Sequence, residues 1–270
     1  MKILLLSLLC FIHSFGNSQG WIPAGGRSMS MANASSTFTD VWGYHNNPGA
    51  LGAIEEFSAG LSYENRFLSS ELQNQALAIA IPLKVGVISV GAHMYGYSQF
   101  RSSKAGLGYS MRLSDKLFVG VQLNYQGLKL SNNYGSSSSV SAEAGIYAKI
   151  TDKWSLGIST FNIGRAKLSD FEDDRYSTVI RFGNSYQFSE KLLISGEFEK
   201  DIDYDLRIKA GVDYQLVSKF YIRGGIGTAP TDLTFGFGYH FDQFHIDLGS
   251  SYDRTLGWSP HFSLLFKAKK

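Results

Sequence analysis

Cysteine is almost absent from this sequence. Its single cysteine, Cys10, lies in an apolar leader at the amino terminus. Leu8 and Leu9 precede it, whereas a lipoprotein processing site requires a small residue directly before the cysteine. The rest of the chain therefore has no disulfide, thiol nucleophile or thiolate metal ligand.

The chain also lacks an excess of charge of one sign. Its 25 Lys and Arg residues against 23 Asp and Glu residues give a formal net charge of +2, which leaves no basic field for nucleic acid. Nucleic acid is therefore excluded from the expected partners. Glycine and aromatic residues are abundant instead, at 29 residues and 14%. This composition departs from that of an ordinary helical enzyme.

Long apolar runs are missing beyond the leader. The leader itself has Lys2, an apolar run over residues 3–12, and small residues at Gly16 and Ser18. That pattern predicts a signal peptide over residues 1–18. The run is shorter than the roughly 20 residues of a spanning helix, and no later stretch is a second candidate. We therefore expect no helical membrane anchor.

What the sequence has is about fourteen runs in which apolar and polar residues alternate. In one of them Leu206, Ile208 and Ala210 alternate with Arg207 and Lys209. A period of two predicts strands. Closed strands are the non-helical way to satisfy every backbone group in lipid. The sequence therefore predicts an all-β fold, a transmembrane antiparallel β-barrel of about 14 strands.

The predicted barrel occupies residues 55–270, and its tight turns alternate with longer connections at 127–138 and 164–175. Short turns belong to the periplasmic rim and longer loops to the outside. An even number of strands therefore predicts a bacterial outer-membrane barrel with both termini in the periplasm. A soluble β-sandwich is the alternative, but it would have to hide many outward aromatic side chains.

Residues 19–54 precede the first predicted strand and do not follow the alternation. A barrel of about 14 strands is wider than its own side chains fill. Inward glycines leave further space, which water or polypeptide must occupy. These glycines include Gly106, Gly108, Gly145, Gly157, Gly183, Gly211, Gly225, Gly236 and Gly238. The sequence therefore predicts that residues 19–54 form an internal plug.

Charged residues of the eighth to eleventh strands fall on the inward side. Centring the turns on Glu190, Asp203 and Ser218 places opposite charges across neighbouring strands, and each such pair contributes roughly 0.2 to 1 kcal/mol. The predicted lumenal charge network consists of Arg181, Glu197, Glu199, Arg207, Lys209, Asp213 and Arg223. Two interpretations stay open: a polar lining that selects solutes or docks a plug, and structural ladders that neutralise one another.

The predicted plug carries a motif. Its residues are Gly25, Gly26 and Arg27, then Asp40, then Asn46, Asn47 and Pro48 just before the first strand. The motif resembles the opening of the long-chain fatty acid transporter (FadL) superfamily, and within it the PorV/PorQ type of Bacteroidetes. Those proteins begin with Gly-Ala-Arg and reach Asn-Pro-Ala-Gly-Leu before a fourteen-stranded barrel. The chain departs from them at Gly49 and Ala50, where Ala-Gly is usual.

The end of the motif also has a purely structural interpretation. Pro48 restricts Asn47 to an extended conformation. Asparagine side chains also hydrogen-bond nearby backbone groups. The Asn-Asn-Pro sequence can therefore fix how the plug enters the first strand without contacting a ligand.

The resemblance implies two functions. PorV-type proteins imply a type IX secretion-associated or envelope accessory barrel, with secretion-system or other envelope proteins as partners. FadL-type proteins imply a plugged channel for uptake of hydrophobic or amphipathic small molecules. The predicted outer loops are short and charged rather than apolar, which favours the secretion-associated role. Outer-membrane lipid is an expected partner in both cases.

An outer-membrane hydrolase is the third hypothesis. His240 and His245 would face each other across a tight turn, with Asp247 also inward. Two imidazoles and a carboxylate can bind a metal or act as an acid and a base. There is no third histidine at ligand spacing and no motif that ties a serine to them. We therefore expect no enzymatic activity, no cofactor and no metal site.

Overall fold

The computed structural model describes residues 22–131, 135–168 and 174–269. The predicted signal peptide, residues 1–18, lies outside this part of the chain. Fourteen strands of the described residues form a closed antiparallel barrel in which sequence neighbours pair and the first strand closes on the last. The predicted barrel is confirmed, and the two-sheet sandwich is wrong because the ring is closed. None of the helices among the described residues is long and apolar enough to cross a bilayer.

The strands are β1 (Ser58–Asn65), β2 (Gln73–Pro82), β3 (Val87–Gly96), β4 (Phe100–Ser114), β5 (Leu117–Leu130), β6 (Ser136–Lys149), β7 (Trp154–Phe161), β8 (Val179–Ser189), β9 (Leu192–Asp201), β10 (Arg207–Val217), β11 (Phe220–Gly227), β12 (Asp232–Phe241), β13 (Phe244–Asp253) and β14 (Gly257–Lys267).

The outer surface of the barrel is apolar because outward and inward positions alternate along each strand. On β10 the side chains of Ile208 and Val212 are exposed on the outside, whereas Lys209 and Asp213 are buried inside. An apolar outer band around a polar interior suits the hydrocarbon layer of a bilayer. The alternation that predicts the strands therefore also sets the direction of the charged side chains.

One predicted loop is mostly strand. The connection expected over 127–138 shortens because β5 continues to Leu130 and β6 begins at Ser136, where Lys129 pairs with Ser136. The extension of β6, residues 136–139, consists of serines and carries no apolar alternation, whereas that of β5 keeps Leu128 and Leu130 on either side of Lys129. The connection expected over 164–175 lies between β7 and β8, and its residues 169–173 are outside the described part of the chain.

Residues 22–54, hereafter the inner segment, lie inside the barrel. They form two single-turn helices, α1 (Gly26–Met29) and α2 (Gly43–Asn46), and a 3₁₀ helix at Pro48–Ala53. Its side chains are largely buried, and its hydrogen bonds run to strands on several sides of the lumen. The core of the molecule is therefore the contact between the inner segment and the barrel wall.

Candidate functional site

Glycines of the wall make room for the inner segment. A side chain at Gly225 would bring its Cβ within 2.5 Å of the backbone nitrogen of Ala32, and one at Gly211 would lie 2.6 Å from the Cβ of Met31. Gly145, Gly157, Gly183 and Gly236 also face the inner segment, whereas Gly106, Gly108 and Gly238 face side chains of the wall itself. Polypeptide therefore fills most of the space that the inward glycines leave.

The predicted lumenal charge network divides into three groups. The register places Arg181 opposite Glu199, Arg207 opposite Glu199, Lys209 opposite Glu197, and Asp213 opposite Arg223. These are the pairs that the turn centres predict. In the first group are Arg181, Glu197, Glu199 and Lys209; in the second, Asp213 and Arg223; in the third, Arg207, which binds Asp232 instead. The first two groups contact the inner segment.

The first group, hereafter the charged clasp, holds the backbone of the inner segment. The Oε2 atom of Glu197 accepts hydrogen bonds from the backbone N–H groups of Ser35 and Ser36, at 3.1 and 2.9 Å. Arg181 donates to Oε1 of Glu197 at 2.8 Å and to the carbonyl oxygen of Asn46 at 2.6 Å. Both wall residues are buried. Because buried charges require partners, the clasp and the inner segment depend on each other.

The second group forms around Arg223. Its Nε lies 3.1 Å from Oδ1 of Asp213, and it also forms an ion pair with Asp247. Arg27 of the inner segment reaches Oδ2 of Asp213 at 2.9 Å, and its guanidinium carbon lies 4.2 Å from the ring centroid of Phe38. Arg27 thus connects the ion pair of Asp213 and Arg223 to the motif of the inner segment.

The structure also shows the surroundings of the histidines considered for catalysis. The rings of His240 and His245 stack at a centroid distance of 3.8 Å. The carboxylate of Asp247 is paired with Arg223, and His240 lies 3.9 Å from it. Within the described residues, no group of three His, Cys, Asp or Glu side chains is placed to hold a metal ion. His261 instead shares a 3.0 Å hydrogen bond with the hydroxyl of Ser30 in the inner segment.

The wall contains a further polar group that the sequence did not predict. Lys104 of β4 forms a 3.0 Å ion pair with Glu143 of β6, and Asn124 of β5 donates to the same carboxylate at 2.7 Å. Tyr44 of the inner segment donates to Oδ1 of Asn124 at 3.0 Å. Lys104 and Glu143 are two strands apart. Register arithmetic between neighbouring strands therefore does not connect them, although each one is a polar residue at an inward position.

The motif residues of the inner segment brace one another. Gly25 has φ +95°, which places the chain against the ring of Trp42. Oδ1 of Asp40 accepts from the backbone N–H of Trp42 at 3.0 Å. Asn46 donates to the hydroxyl of Ser28 at 3.0 Å. The early and late parts of the motif therefore meet inside the barrel.

Asn47 and Pro48 join the inner segment to the wall. The Oδ1 atom of Asn47 accepts from the N–H of Gly49 at 2.9 Å, which caps the 3₁₀ helix. Its Nδ2 donates to the carbonyl of Ile146 on β6 at 3.0 Å. The carbonyl of Pro48 accepts from the hydroxyl of Ser110 on β4 at 2.7 Å. Both the structural interpretation of the motif and a docking role fit these contacts.

An open cavity lies at the end of the barrel that carries the longer connections, hereafter the outer cavity. It has a volume of about 620 Å³, and its floor is formed by Ile22, Pro23, Met29 and Asn33 of the inner segment. A smaller cavity of about 160 Å³ at the opposite end is lined by residues such as Asp40. The inner segment therefore separates two cavities at the two ends of the lumen.

Comparison with known proteins defines the fold. No family model matches the sequence, and no curated protein matches it. The structure matches the CymD monoaromatic hydrocarbon channel with a TM-score of 0.71 and 13% identity, over 93% of this chain and 99% of that one. It matches the Ralstonia pickettii toluene transporter TbuX with a TM-score of 0.63 and 16% identity, over 93% and 98%.

A third match is a FadL homologue of Pseudomonas aeruginosa, with a TM-score of 0.64 and 12% identity over 93% of this chain and 98% of that one. At such identities a likeness defines the fold and leaves the cargo open. These neighbours do not show a PorV/PorQ type. The chain has the fold of the CymD hydrocarbon channel, the TbuX toluene transporter and the FadL homologue.

Proposed function

We propose that this protein is a plugged outer-membrane channel for the uptake of hydrophobic or amphipathic small molecules. The observation that carries the proposal is the inner segment, which fills the lumen beneath an open cavity of about 620 Å³. In this proposal the inner segment is the plug. The likeness in fold of the whole chain to channels and transporters for monoaromatic hydrocarbons and toluene supports the same function here.

The outer surface supports the proposed location. Outward positions of the strands carry exposed apolar side chains, as at Leu107, Val121 and Leu123. Burying such a band in lipid removes it from water, at about 25 cal/mol for each Å² of apolar surface. We place the shorter turns, such as that between Ser189 and Leu192, in the periplasm. Both termini then lie in the periplasm as well.

The secretion-associated interpretation is supported by the motif of the inner segment and by the short, charged outer loops that the sequence predicts. The structural neighbours reported above are described as channels or transporters or as a FadL homologue, which favours uptake over type IX secretion. Hydrolysis has less support still, because Arg223 already occupies the carboxylate of Asp247 that a catalytic pair would need. The channel is therefore the function to test first.

The decisive experiment is the conductance of the refolded barrel in a planar bilayer, compared with a variant that lacks residues 19–53. We expect the full chain to be silent and the deletion variant to conduct. Heat-modifiable gel mobility verifies that both barrels are folded. Silence of both folded barrels would contradict the channel and favour a role in assembling secretion partners.

A further inference from the structure

The outer cavity has two unlike walls. One wall, from β1 to β4 and the connections between them, carries the aromatic side chains Phe67, Tyr95, Tyr97 and Phe100, together with the ion pair of Arg66 and Glu64 and the carboxylate of Glu71. The other, from β9 to β13, carries Glu199, Asp201, Asp232 and Asp253. Phe100 on β4 and Asp232 on β12 are six places apart in the ring of fourteen strands, and Tyr95 on β3 and Asp253 on β13 are four places apart, so the aromatic side chains lie across the cavity from the two carboxylates.

The acidic wall is only partly neutralised. Glu199 is paired with Lys209, and Asp232 is paired with Arg207 at 2.8 Å. Asp253 has no ion pair with a cation of the described residues; its Oδ1 accepts from the backbone N–H groups of its own turn, at 2.7 and 2.8 Å. Such turn hydrogen bonds leave the full negative charge of the carboxylate in place.

Two of these carboxylates are placed against each other. Asp232 on β12 lies directly opposite Asp253 on β13 in the register. Like charges in this position destabilise a pair of strands. Arg207 binds Oδ2 of Asp232, whereas Oδ1 of the same carboxylate is buried without a hydrogen-bond donor among the described residues. A cation beside the two carboxylates would relieve the repulsion between them.

We propose that the outer cavity selects amphipathic organic cations, with an ammonium head beside Asp232 and Asp253 and an aromatic or alkyl body against Tyr95, Tyr97 and Phe100. The cavity volume of about 620 Å³ suits one drug-sized molecule. The ring of Tyr95 already lies 5.5 Å from the guanidinium carbon of Arg66, so the aromatic wall favours the apolar body of the ligand, whereas the acidic wall favours its ammonium head over a neutral hydrocarbon. This inference rests on the proposed channel function, since it names the class of molecule that the channel takes.

The test uses three probes of matched shape: 4-phenylbutylamine, 4-phenylbutanol and 4-phenylbutanoate. Their binding to the full mature chain is measured by titration calorimetry in nanodiscs of zwitterionic lipid at low salt. We expect the amine to bind at least about tenfold more tightly than the alcohol, and the carboxylate to bind most weakly, as opposite and like charges interact at short range.

The variant Asp253→Asn removes the charge and keeps the Oδ1 acceptor that the turn uses. We expect it to weaken binding of the amine about five- to tenfold and to leave the alcohol unchanged. Asp205→Asn is the matched control, because Asp205 is exposed in the β9–β10 connection, does not line the cavity and carries the same charge. If Asp253→Asn does not fold by gel mobility, Asp201→Asn on the same wall replaces it.

Three results would overturn the inference: equal affinity for amine and alcohol, equal effects of the Asp253 and Asp205 variants, or displacement of the amine by micromolar Ca²⁺. The first would leave the proposed channel intact, because a cavity without charge selection can still serve hydrophobic cargo. A different result would separate the two proposals: the full chain binds the amine selectively, but the variant that lacks residues 19–53 does not conduct. This result would support the selectivity of the cavity and contradict the channel.

Discussion

The two halves of the inner segment are held in different ways. The first half, residues 25–38, meets charged and hydroxyl groups of β8 to β14, such as Glu197 and the hydroxyl of Thr234. The second half, residues 41–53, mainly packs large side chains such as Trp42 against small wall residues of the opposite side, and Arg181 of the clasp also donates to the carbonyl oxygen of Asn46. The inner segment is therefore held on one side of the lumen mainly by hydrogen bonds and on the other mainly by van der Waals packing.

The difference matters for movement of the proposed plug. Water can replace the hydrogen bonds of the first half, so each contributes a net of only about 0.5–1.5 kcal/mol, or about 1.5–3 kcal/mol where a charge takes part. The second half buries Trp42, Tyr44 and Leu51 almost completely. Exposing one such side chain costs about 1.5–3 kcal/mol, and water offers no replacement. We therefore expect the first half to release before the second.

The largest effect is expected from Glu197→Ala. This change removes the buried carboxylate that both Arg181 and Lys209 contact and leaves the more exposed Glu199 as their remaining shared carboxylate. Breaking a buried pair in this way costs about 3–5 kcal/mol. We expect this loss in the free energy of opening of the first half, measured by amide hydrogen exchange of residues 28–36 in the full chain.

Glu190→Ala is the matched control, since Glu190 is exposed at the tip of the same hairpin. It should leave the exchange of both halves unchanged. If Glu197→Ala accelerates exchange equally in residues 28–36 and 41–53, the inner segment opens as one unit and the comparison fails.

Leu51→Ala is expected to have the next largest effect, and on the second half. Leu51 is fully buried in the cluster around Trp42. Truncating a buried leucine to alanine costs about 2–5 kcal/mol. Exchange should accelerate in residues 41–53 and much less in residues 28–36. Leu61→Ala, on the outward face of β1 at 56% exposure, is the control and should change neither.

The strands follow from the sequence because lipid imposes a period of two. Every outward position on β10 must be apolar, so Ile208 and Val212 reveal both the strand and its direction. The same rule fails at the start of β6, residues 136–139, where the strand has polar sequence that gives no apolar alternation. Strand ends that lack this alternation are therefore hard to predict from the sequence.

The site follows from the sequence only in part. The pair of Asp213 and Arg223 is accessible to register arithmetic because a tight turn fixes which residues face each other. The hydrogen bonds of Glu197 to Ser35 and Ser36 are not, because they join residues more than 160 positions apart through a segment with no regular period. The outer cavity cannot be predicted from the sequence for the same reason, because several separate connections contribute to it.

Acid is expected to loosen the second half by a smaller amount. Burial lowers the pKa of His45 to about 3, and the nearby ammonium of Lys104 adds to this effect. A released His45 would titrate near 6.5, so between pH 6.5 and 3 the released state binds the extra proton. Stability of the second half is therefore full above pH 6.5 and falls with pH, by about 2–3 kcal/mol at pH 4.5.

Hydrogen exchange of residues 41–53 at pH 7 and pH 4.5, corrected for the intrinsic exchange rate, measures this loss. His45→Gln removes the titrating group and should flatten the pH dependence. A residual slope in that variant would belong to His93, whose ring centroid lies 6.3 Å from that of His45. An unchanged slope would assign the acid sensitivity to the wall rather than to the inner segment.

The smallest effect is expected from Arg27→Met in the first half. Arg27 reaches Asp213 at 2.9 Å, but its side chain stays 27% exposed, so water and salt screen the pair. Exposed pairs contribute about 0–1 kcal/mol. Exchange of residues 25–31 should therefore accelerate about threefold in this variant. Raising the salt from 50 to 500 mM should accelerate exchange in the unmodified chain and have little effect on the variant.

Because water already reaches Arg27, its contact with Asp213 should break first when the first half is released. A salt effect that survives in Arg27→Met would place the first break at the buried clasp instead, against the order that the two kinds of contact predict.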